Sequence, residues 1–201
     1  MTWGECKIIA LQKMAALSVS YLAESRDTRP YLEIMTPPAN EALLMITAAR
    51  PLIKVLEIEQ QRHSDGQNSR RYDLPALTKD FRRLKDNSVY LERNGVSKKS
   101  YDWELEAGTV LVLPNESGLW RAYYEAYPRL LSEESRDTDV IDLPEDAASL
   151  LPLYIASQLF KDDDLNQAVQ MRNEFELGLS RLAAMTEASV SDSFVSSRGW
   201  Y

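Results

Sequence analysis

Residues 143–183 predict two consecutive amphipathic helices, and this stretch constrains the fold more than any other segment. In its first half, apolar residues recur at three- and four-residue spacing, which places them on one helical face. A similar stripe runs from Leu165 to Leu182 in the second half. Between the stripes, Asp164 is followed three residues later by Gln167, which is the form of a helix N-cap. We therefore expect a helical pair against which the other segments pack.

The acidic turn between the two helices has a second interpretation. Asp162, Asp163 and Asp164 are consecutive carboxylates, and a hard cation such as Mg²⁺ takes oxygen ligands. However, three neighbouring carboxylates cannot all converge on one ion, and the sequence shows no distant ligand to complete the set. The cap is the favoured interpretation, and no metal site is predicted.

Helices are also predicted in the first half of the chain. Thr2 and Glu5 have the capping-box spacing that marks a helix start. A second helix is expected over residues 31–49, with Pro37 and Pro38 marking its first turn or a break. The segment 76–85 predicts a short amphipathic helix.

Strand patterns occupy the middle of the chain. Residues 52–58 change to a strand pattern after Pro51, and residues 119–127 alternate with aromatic side chains on both faces, which predicts packing on each side. Asn94-Gly95 is a hairpin-turn pair, so neighbouring strands are expected to be antiparallel.

These elements predict an α+β fold, in which an α-helical bundle of about four main helices carries an inserted small antiparallel β-sheet. Four regions follow from the pattern. They are N-terminal helices of the bundle (1–51), a β-rich insertion (52–128), a C-terminal helical pair (129–185) and a flexible C-terminal tail (186–201).

Composition limits the class of protein. A hydrophobic content of 44% with 27% charged residues is ordinary for a globular chain. With Cys6 and His63 as the single residues of their types, no internal disulfide or Cys/His zinc set can form within one chain. The apolar runs are too short for a membrane span, and no signal peptide is recognisable. We expect a soluble protein that is made in the cytoplasm and needs no cofactor.

Charge is unevenly distributed along the chain. The net charge of -8 argues against wrapping nucleic acid with the whole surface. Residues 62–99 carry ten Lys or Arg against five acids, whereas residues 132–146 carry seven acids and Arg136. Such a charge separation favours self-association or steering towards a charged partner, although two solvated faces would give the same pattern.

Catalytic motifs are not apparent in the sequence. His63, Ser64 and Asp65 are sequence neighbours, and neighbouring side chains point apart rather than aligning as a triad. The seven glycines show neither GxxxxGK nor GxGxxG spacing. We do not expect an enzyme.

Five segments, in the same order along nearly the whole chain, resemble the head-tail adaptor (connector) proteins of tailed bacteriophages. They are MTWGECKIIALQKM, PPANEALLMI, VYLERNG, YYEAYP and LLPLYIASQLFKDDDLNQAVQMRNEFELGLSRL. The resemblance implies a virion protein of the neck that forms a ring of about twelve copies beneath the portal protein. Such a ring links the capsid to the next neck or tail component and extends the DNA channel, without sequence-specific binding of the genome.

The resemblance also suggests which residues make contacts. In a ring, a basic patch on one copy can meet an acidic patch on the next, and a terminal segment can dock on a neighbouring component. The candidate seam residues are Arg82, Arg83, Lys85, Glu133 and Glu134, and the candidate tail anchors are Phe194, Trp200 and Tyr201.

Two alternatives remain open at this point. One is another neck role, either head-completion stopper or tail terminator, which differs in which surfaces meet which partner. The other is a metal-dependent hydrolase that uses the aspartates near Asp163.

Overall fold

A computed structural model describes residues 1–14, 28–64 and 67–191 of the chain, with the backbone alone described for 187–191. In chain order its elements are α1 (Trp3–Lys13), α2 (Arg29–Ile34), α3 (Thr36–Ala49), β1 (Leu52–Gln60), β2 (Ser69–Asp73), α4 (Leu74–Leu77), β3 (Phe81–Arg93), β4 (Val96–Lys99), β5 (Glu104–Glu106), β6 (Val110–Pro114), β7 (Gly118–Ala126), α5 (Glu145–Ala148), α6 (Leu151–Leu159) and α7 (Leu165–Ser191). They fall into two compact units, Met1–Arg50 with Pro128–Tyr201 (unit 1) and Pro51–Tyr127 (unit 2).

Unit 1 is helical, and its first helix begins where the sequence predicts. The Thr2 amide donates to Glu5 Oε2 at 2.7 Å, and the Glu5 amide donates to Thr2 Oγ1 at 3.2 Å, which confirms the capping box. The core of the unit draws on α1, α3, α6 and α7. Its largest fully buried side chains include Trp3, Leu11, Leu43, Tyr154 and Phe175.

The predicted helical pair is observed as α6 and α7, but its first half is divided, because α5 ends at Ala148 and α6 begins at Leu151 with Pro152 in its first turn. The rings of Tyr154 and Phe175 pack with their centroids 4.9 Å apart. A Cβ added to Gly178 would lie 2.4 Å from Leu150 Cδ2, so the helix backbone comes close to the segment that leads into α6. Tyr154 and Phe175 are both buried, so this pair contributes to the unit 1 core.

The segment of unit 1 that precedes α5, residues 128–144, is hydrogen-bonded to α1 and α3. The amides of Trp3 and Gly4 donate to the carbonyls of Asp139 and Asp137, each at 2.9 Å. Asn40 makes two hydrogen bonds with the backbone of Leu131, at 2.8 and 2.9 Å. These bonds satisfy backbone groups that would otherwise need water.

Unit 2 contains two antiparallel sheets. The four-stranded sheet has the order β1-β7-β3-β4, and the three-stranded sheet has the order β2-β6-β5. On the four-stranded sheet, one face buries Trp120, Ala122 and Tyr124 of the central strand β7. Asn94 and Gly95, with φ of 51° and 75°, form the β3–β4 hairpin turn that the sequence predicts.

The predicted fold class is wrong. Seven strands in two antiparallel sheets make the described chain a mixed α/β protein, rather than a four-helix bundle with a small inserted sheet. The helical segment 31–49 is divided at the buried residue Met35, and the prediction that Pro37 and Pro38 mark a first turn or a break is confirmed, because α3 begins at Thr36 with these prolines in its first turn.

The predicted helix over 76–85 is wrong as well. α4 ends at Leu77, and Phe81 begins the thirteen-residue strand β3. The register of β3 against β7 shifts between Phe81 and Arg83 and again between Leu84 and Val89. Each irregularity inserts residues into the strand, so its buried side chains no longer alternate and imitate a helical spacing.

The sequence predicts packing on both faces of β7, and the structure shows full burial of the face that carries Trp120, Ala122 and Tyr124. Leu119, Arg121 and Tyr123 on the other face are half-buried. That face is therefore partly open to solvent, and it is a candidate contact surface.

Candidate functional site

The three predicted basic seam residues all lie on β3. The Arg83 Nη2 donates to Glu125 Oε1 at 2.7 Å, with the Glu125 side chain 8% exposed. The guanidinium of Arg82 lies over the ring of Tyr127, 5.9 Å from its centroid. Lys85 is exposed. The strand therefore presents cations to solvent, but Arg83 already neutralises a buried carboxylate.

The two predicted acidic seam residues lie in a tight turn of unit 1. The Ser135 amide donates to the Ser132 carbonyl at 3.1 Å, and the Ser132 amide donates to Ser135 Oγ at 2.9 Å. Glu133 and Glu134 at the tip of this turn are both exposed. They are available for contact with a partner of positive charge.

Other acids of the 132–146 segment are paired within unit 1. Lys7 Nζ donates to Asp137 Oδ1 at 2.8 Å, and Arg50 bonds to Asp146. These pairs reduce the negative charge that the segment offers to a partner, while Glu133, Glu134, Asp142 and Glu145 stay exposed.

The predicted tail anchors Phe194, Trp200 and Tyr201 lie outside the described residues. The helix α7 continues to Ser191, so the first part of the region predicted as a tail, from residue 186, is helical.

The aspartates of the acidic turn are engaged in helix capping and a tertiary contact. Asp164 Oδ1 accepts from the amides of Asn166 and Gln167 at 3.0 and 3.1 Å, which confirms that Asp164 caps α7. Asp163 Oδ2 accepts from the hydroxyl of Tyr31 at 2.5 Å, and this bond raises the pKa of Tyr31. Within the described ranges, no three His, Cys, Asp or Glu side chains cluster to hold a metal.

A polar network in unit 2 is built around Asp80. Its Oδ1 accepts from Thr78 at 2.6 Å and Tyr124 at 2.9 Å, and its Oδ2 accepts from Lys54 at 2.9 Å. Partial burial opposes ionisation, but these three donors outweigh it and lower the pKa of Asp80 to about 2. A carboxylate that is ionised and fully bonded at neutral pH cannot serve as a proton donor, so we interpret the network as structural.

A charged row crosses the open face of the four-stranded sheet. Arg121 Nε on β7 donates to Glu57 Oε1 on β1 at 2.8 Å, and its Nη1 bonds to Glu92 on β3. Beside this row, the rings of Tyr90 and Tyr123 meet edge to face at 5.7 Å. These residues could not be recognised as a group from the sequence, because a single sequence does not show which strands are neighbours.

Large apolar side chains are exposed on the surfaces of both units. Ile53 and Val55 on β1 are 44% and 45% exposed. On α7, Leu165, Val169 and Leu177 are 63%, 50% and 54% exposed, whereas Phe175 is buried. Helices in the described part of the chain lack the combination of length and apolar character needed to cross a membrane.

Comparison with protein-family models and with curated proteins found no match for this chain.

Proposed function

We propose that this chain is a structural protein that works by assembling beside copies of itself, as a head-tail adaptor in the neck of a tailed bacteriophage. The proposed ring sits beneath the portal protein, connects it to the next neck or tail component and extends the DNA channel. The resemblance of the sequence to such adaptors supplies the specific role.

The observation that carries self-assembly is the exposed apolar stripe on α7. Leu165, Val169 and Leu177, spaced by multiples of four residues along α7, are 63%, 50% and 54% exposed, while Phe175 and Leu182 of the same helix are buried. Exposed apolar side chains grouped on one surface mark contact sites more often than isolated ones do. Covering such a stripe with a neighbouring copy removes it from water, which favours association.

The distribution of charge supports contacts of a heterologous kind. Arg82 and Lys85 lie on unit 2, and Glu133 and Glu134 are exposed on unit 1. In a ring, each copy uses two different surfaces, so opposite charges can meet at every seam. The net charge of -8 also suits a channel through which DNA passes without adhering.

Electron microscopy tests this proposal directly. The purified protein is mixed with portal rings encoded by the same genome, and particles are classified by symmetry. We expect a closed ring of this chain stacked on the portal. Free portal rings together with unassembled protein would overturn the adaptor role, and binding at the far end of a preassembled neck would assign the stopper or tail terminator role instead.

A charge-reversal series tests the predicted seam. Arg82→Glu and Lys85→Glu should weaken ring formation on the portal, and added salt should weaken it in the unmodified protein. Arg83→Glu is unsuitable, because Arg83 neutralises buried Glu125. Ring formation that is indifferent both to salt and to these two reversals would exclude the basic patch from the seam.

A further inference from the structure

In the part of the chain that the structure describes, the four-stranded sheet of unit 2 ends in two strands whose outer edges pair with no further strand. These edge strands are β1 and β4, at opposite ends of the order β1-β7-β3-β4. β1 has nine residues without a proline or glycine, and every residue of β4 is exposed. An edge strand presents a row of backbone N–H and C=O groups that can pair with another chain.

The chain directions of the two edge strands, β1 and β4, allow identically oriented copies to pair side by side. The sheet is antiparallel at every step, and its four strands give β1 and β4 opposite directions. Two copies in the same orientation therefore bring β4 of one beside β1 of the next as an antiparallel pair. In the three-stranded sheet, the edges β2 and β5 run in the same direction, so the same arrangement would need parallel pairing.

The register of the sheet sets which side chains meet. One row of facing residues runs across the four strands through Glu57, Arg121, Tyr90 and Lys99. If the row continues straight into the next copy, Lys99 of the first faces Glu57 of the second. The Glu57 side chain is 52% exposed, and Lys99 is exposed with its Nζ 5.2 Å from the ring centroid of Tyr101.

The neighbouring row adds an apolar contact. In an antiparallel pair, moving two residues forward on one strand corresponds to moving two residues back on the other. If the pairing extends beyond the end of β4, Tyr101, two residues after Lys99, faces Val55, two residues before Glu57. Tyr101 is 72% exposed and Val55 is 45% exposed, so each loses contact with water when they pack.

We propose that copies of this chain join by pairing β4 of one copy with β1 of the next, with Lys99 opposite Glu57. The inference rests on the self-assembly proposed above and adds a contact between sheet edges to the charged contacts proposed there. Because the contact uses two different edges, it is heterologous and generates a ring when the rotation between copies closes.

Reversing the charges of Lys99 and Glu57 tests the proposed contact between β4 and β1. Lys99→Glu places two carboxylates opposite each other and should raise the protein concentration needed for half-assembly on the order of tenfold. The double variant Glu57→Lys with Lys99→Glu restores opposite charges and should recover assembly. Lys98→Glu is the matched control, since Lys98 lies on the same strand but in the row of Leu91, on the other face. Melting temperatures of all variants check that each remains folded.

A cross-linking experiment supplies a second readout. The Glu57→Cys and Lys99→Cys variant, treated with a short bismaleimide, should give a ladder of covalent dimers, trimers and larger species. The native thiol of Cys6 is 0% exposed, so it does not contribute. Glu57→Cys with Lys98→Cys is the control, and it should give less ladder.

The outcomes separate the two proposals. The edge contact is overturned if Lys99→Glu forms rings as readily as the unmodified protein, or if the two cysteine pairs cross-link equally. In either case the adaptor role still stands. Isolated dimers that resist further growth indicate two-fold pairing of β1 with β1 and also overturn it. Unmodified protein that remains monomeric with and without the portal overturns both proposals.

Discussion

Arg83 on β3 donates to Glu125 on β7 at 2.7 Å, joining a guanidinium that is 69% exposed to a carboxylate that is 8% exposed. Among the described residues, no donor reaches the second oxygen of this carboxylate, Glu125 Oε2. Arg83 is therefore the observed charge partner of a buried anion, and its first role is to stabilise the sheet.

Removing Arg83 should destabilise the protein more than removing another cation of β3. Arg83→Ala leaves Glu125 buried without a charge partner, which we expect to cost about 2 kcal/mol of unfolding free energy. Glu125→Gln in the same chain should recover part of the loss, because it removes the buried charge. Urea titrations provide the measurement, and Lys85→Ala, at an exposed position, is the control. Equal effects of the two alanine substitutions would show that the Arg83 pair contributes nothing.

Acid should weaken unit 2 through Asp80. Its pKa of about 2 in the folded protein lies below the unfolded value of about 3.9. The stabilisation is therefore complete above about pH 4 and is lost as the pH falls through about 2. Asp80→Asn should lower stability at pH 7 by roughly 1–2 kcal/mol, allowing for the partial exposure of the side chain.

Melting curves between pH 2 and pH 7 test this prediction. The difference between the unmodified protein and Asp80→Asn should shrink as the pH falls, whereas Asp73→Asn, at an exposed position, should differ little at any pH. A gap that stays constant down to pH 2 would contradict the role of the ionised carboxylate.

Gly118 at the start of β7 should not tolerate a side chain. Its φ of +149° is one that other residues rarely adopt, and an added Cβ would lie 2.7 Å from the Glu92 carbonyl oxygen. Gly118→Ala should cost about 2–3 kcal/mol. Gly95→Ala is the control, because Gly95 has a positive φ of 75° but open space around it, and it should cost about 1 kcal/mol. Thermal unfolding compares them, and a smaller loss at Gly118 would count against the close approach.

The acidic turn before α7 should respond to mutation as a helix cap. Asp164→Ala removes two hydrogen bonds to the first turn and should cost about 1 kcal/mol, whereas Asp162→Ala, at an exposed position, should be nearly neutral. Millimolar Mg²⁺ should not raise the melting temperature. Stabilisation by Mg²⁺ that disappears in Asp163→Asn would instead favour the metal-dependent hydrolase.

The helix caps and the hairpin turn could be predicted correctly from short-range signals in the sequence. The Thr2 and Glu5 pair, the Asp164 cap and the Asn94-Gly95 turn each depend on residues within four positions of one another. Such signals act through local backbone hydrogen bonds and backbone dihedral angles, so the sequence contains all the information they need.

The strand length, strand order and burial that depend on the tertiary fold could not be predicted from the sequence. The irregularities in β3 displace its buried residues from a two-residue period, which concealed a long strand. The division of the strands into two sheets was also not visible in the sequence, and the predicted fold class, with one small sheet, was wrong. Strand order is also absent from a single sequence, so Glu57 and Lys99 could not be recognised as members of one row. Burial of Glu125, which gives Arg83 its partner, likewise depends on the tertiary fold.

The pairing of Leu52 with Ala126 places the two ends of unit 2 on adjacent strands. The polypeptide consequently leaves and rejoins the helical unit through neighbouring points, and a short linker is enough to bridge them. The β-rich segment can therefore be treated as a cassette. Excising it, or exchanging it for another with similarly spaced ends, leaves the path of the remaining chain unchanged.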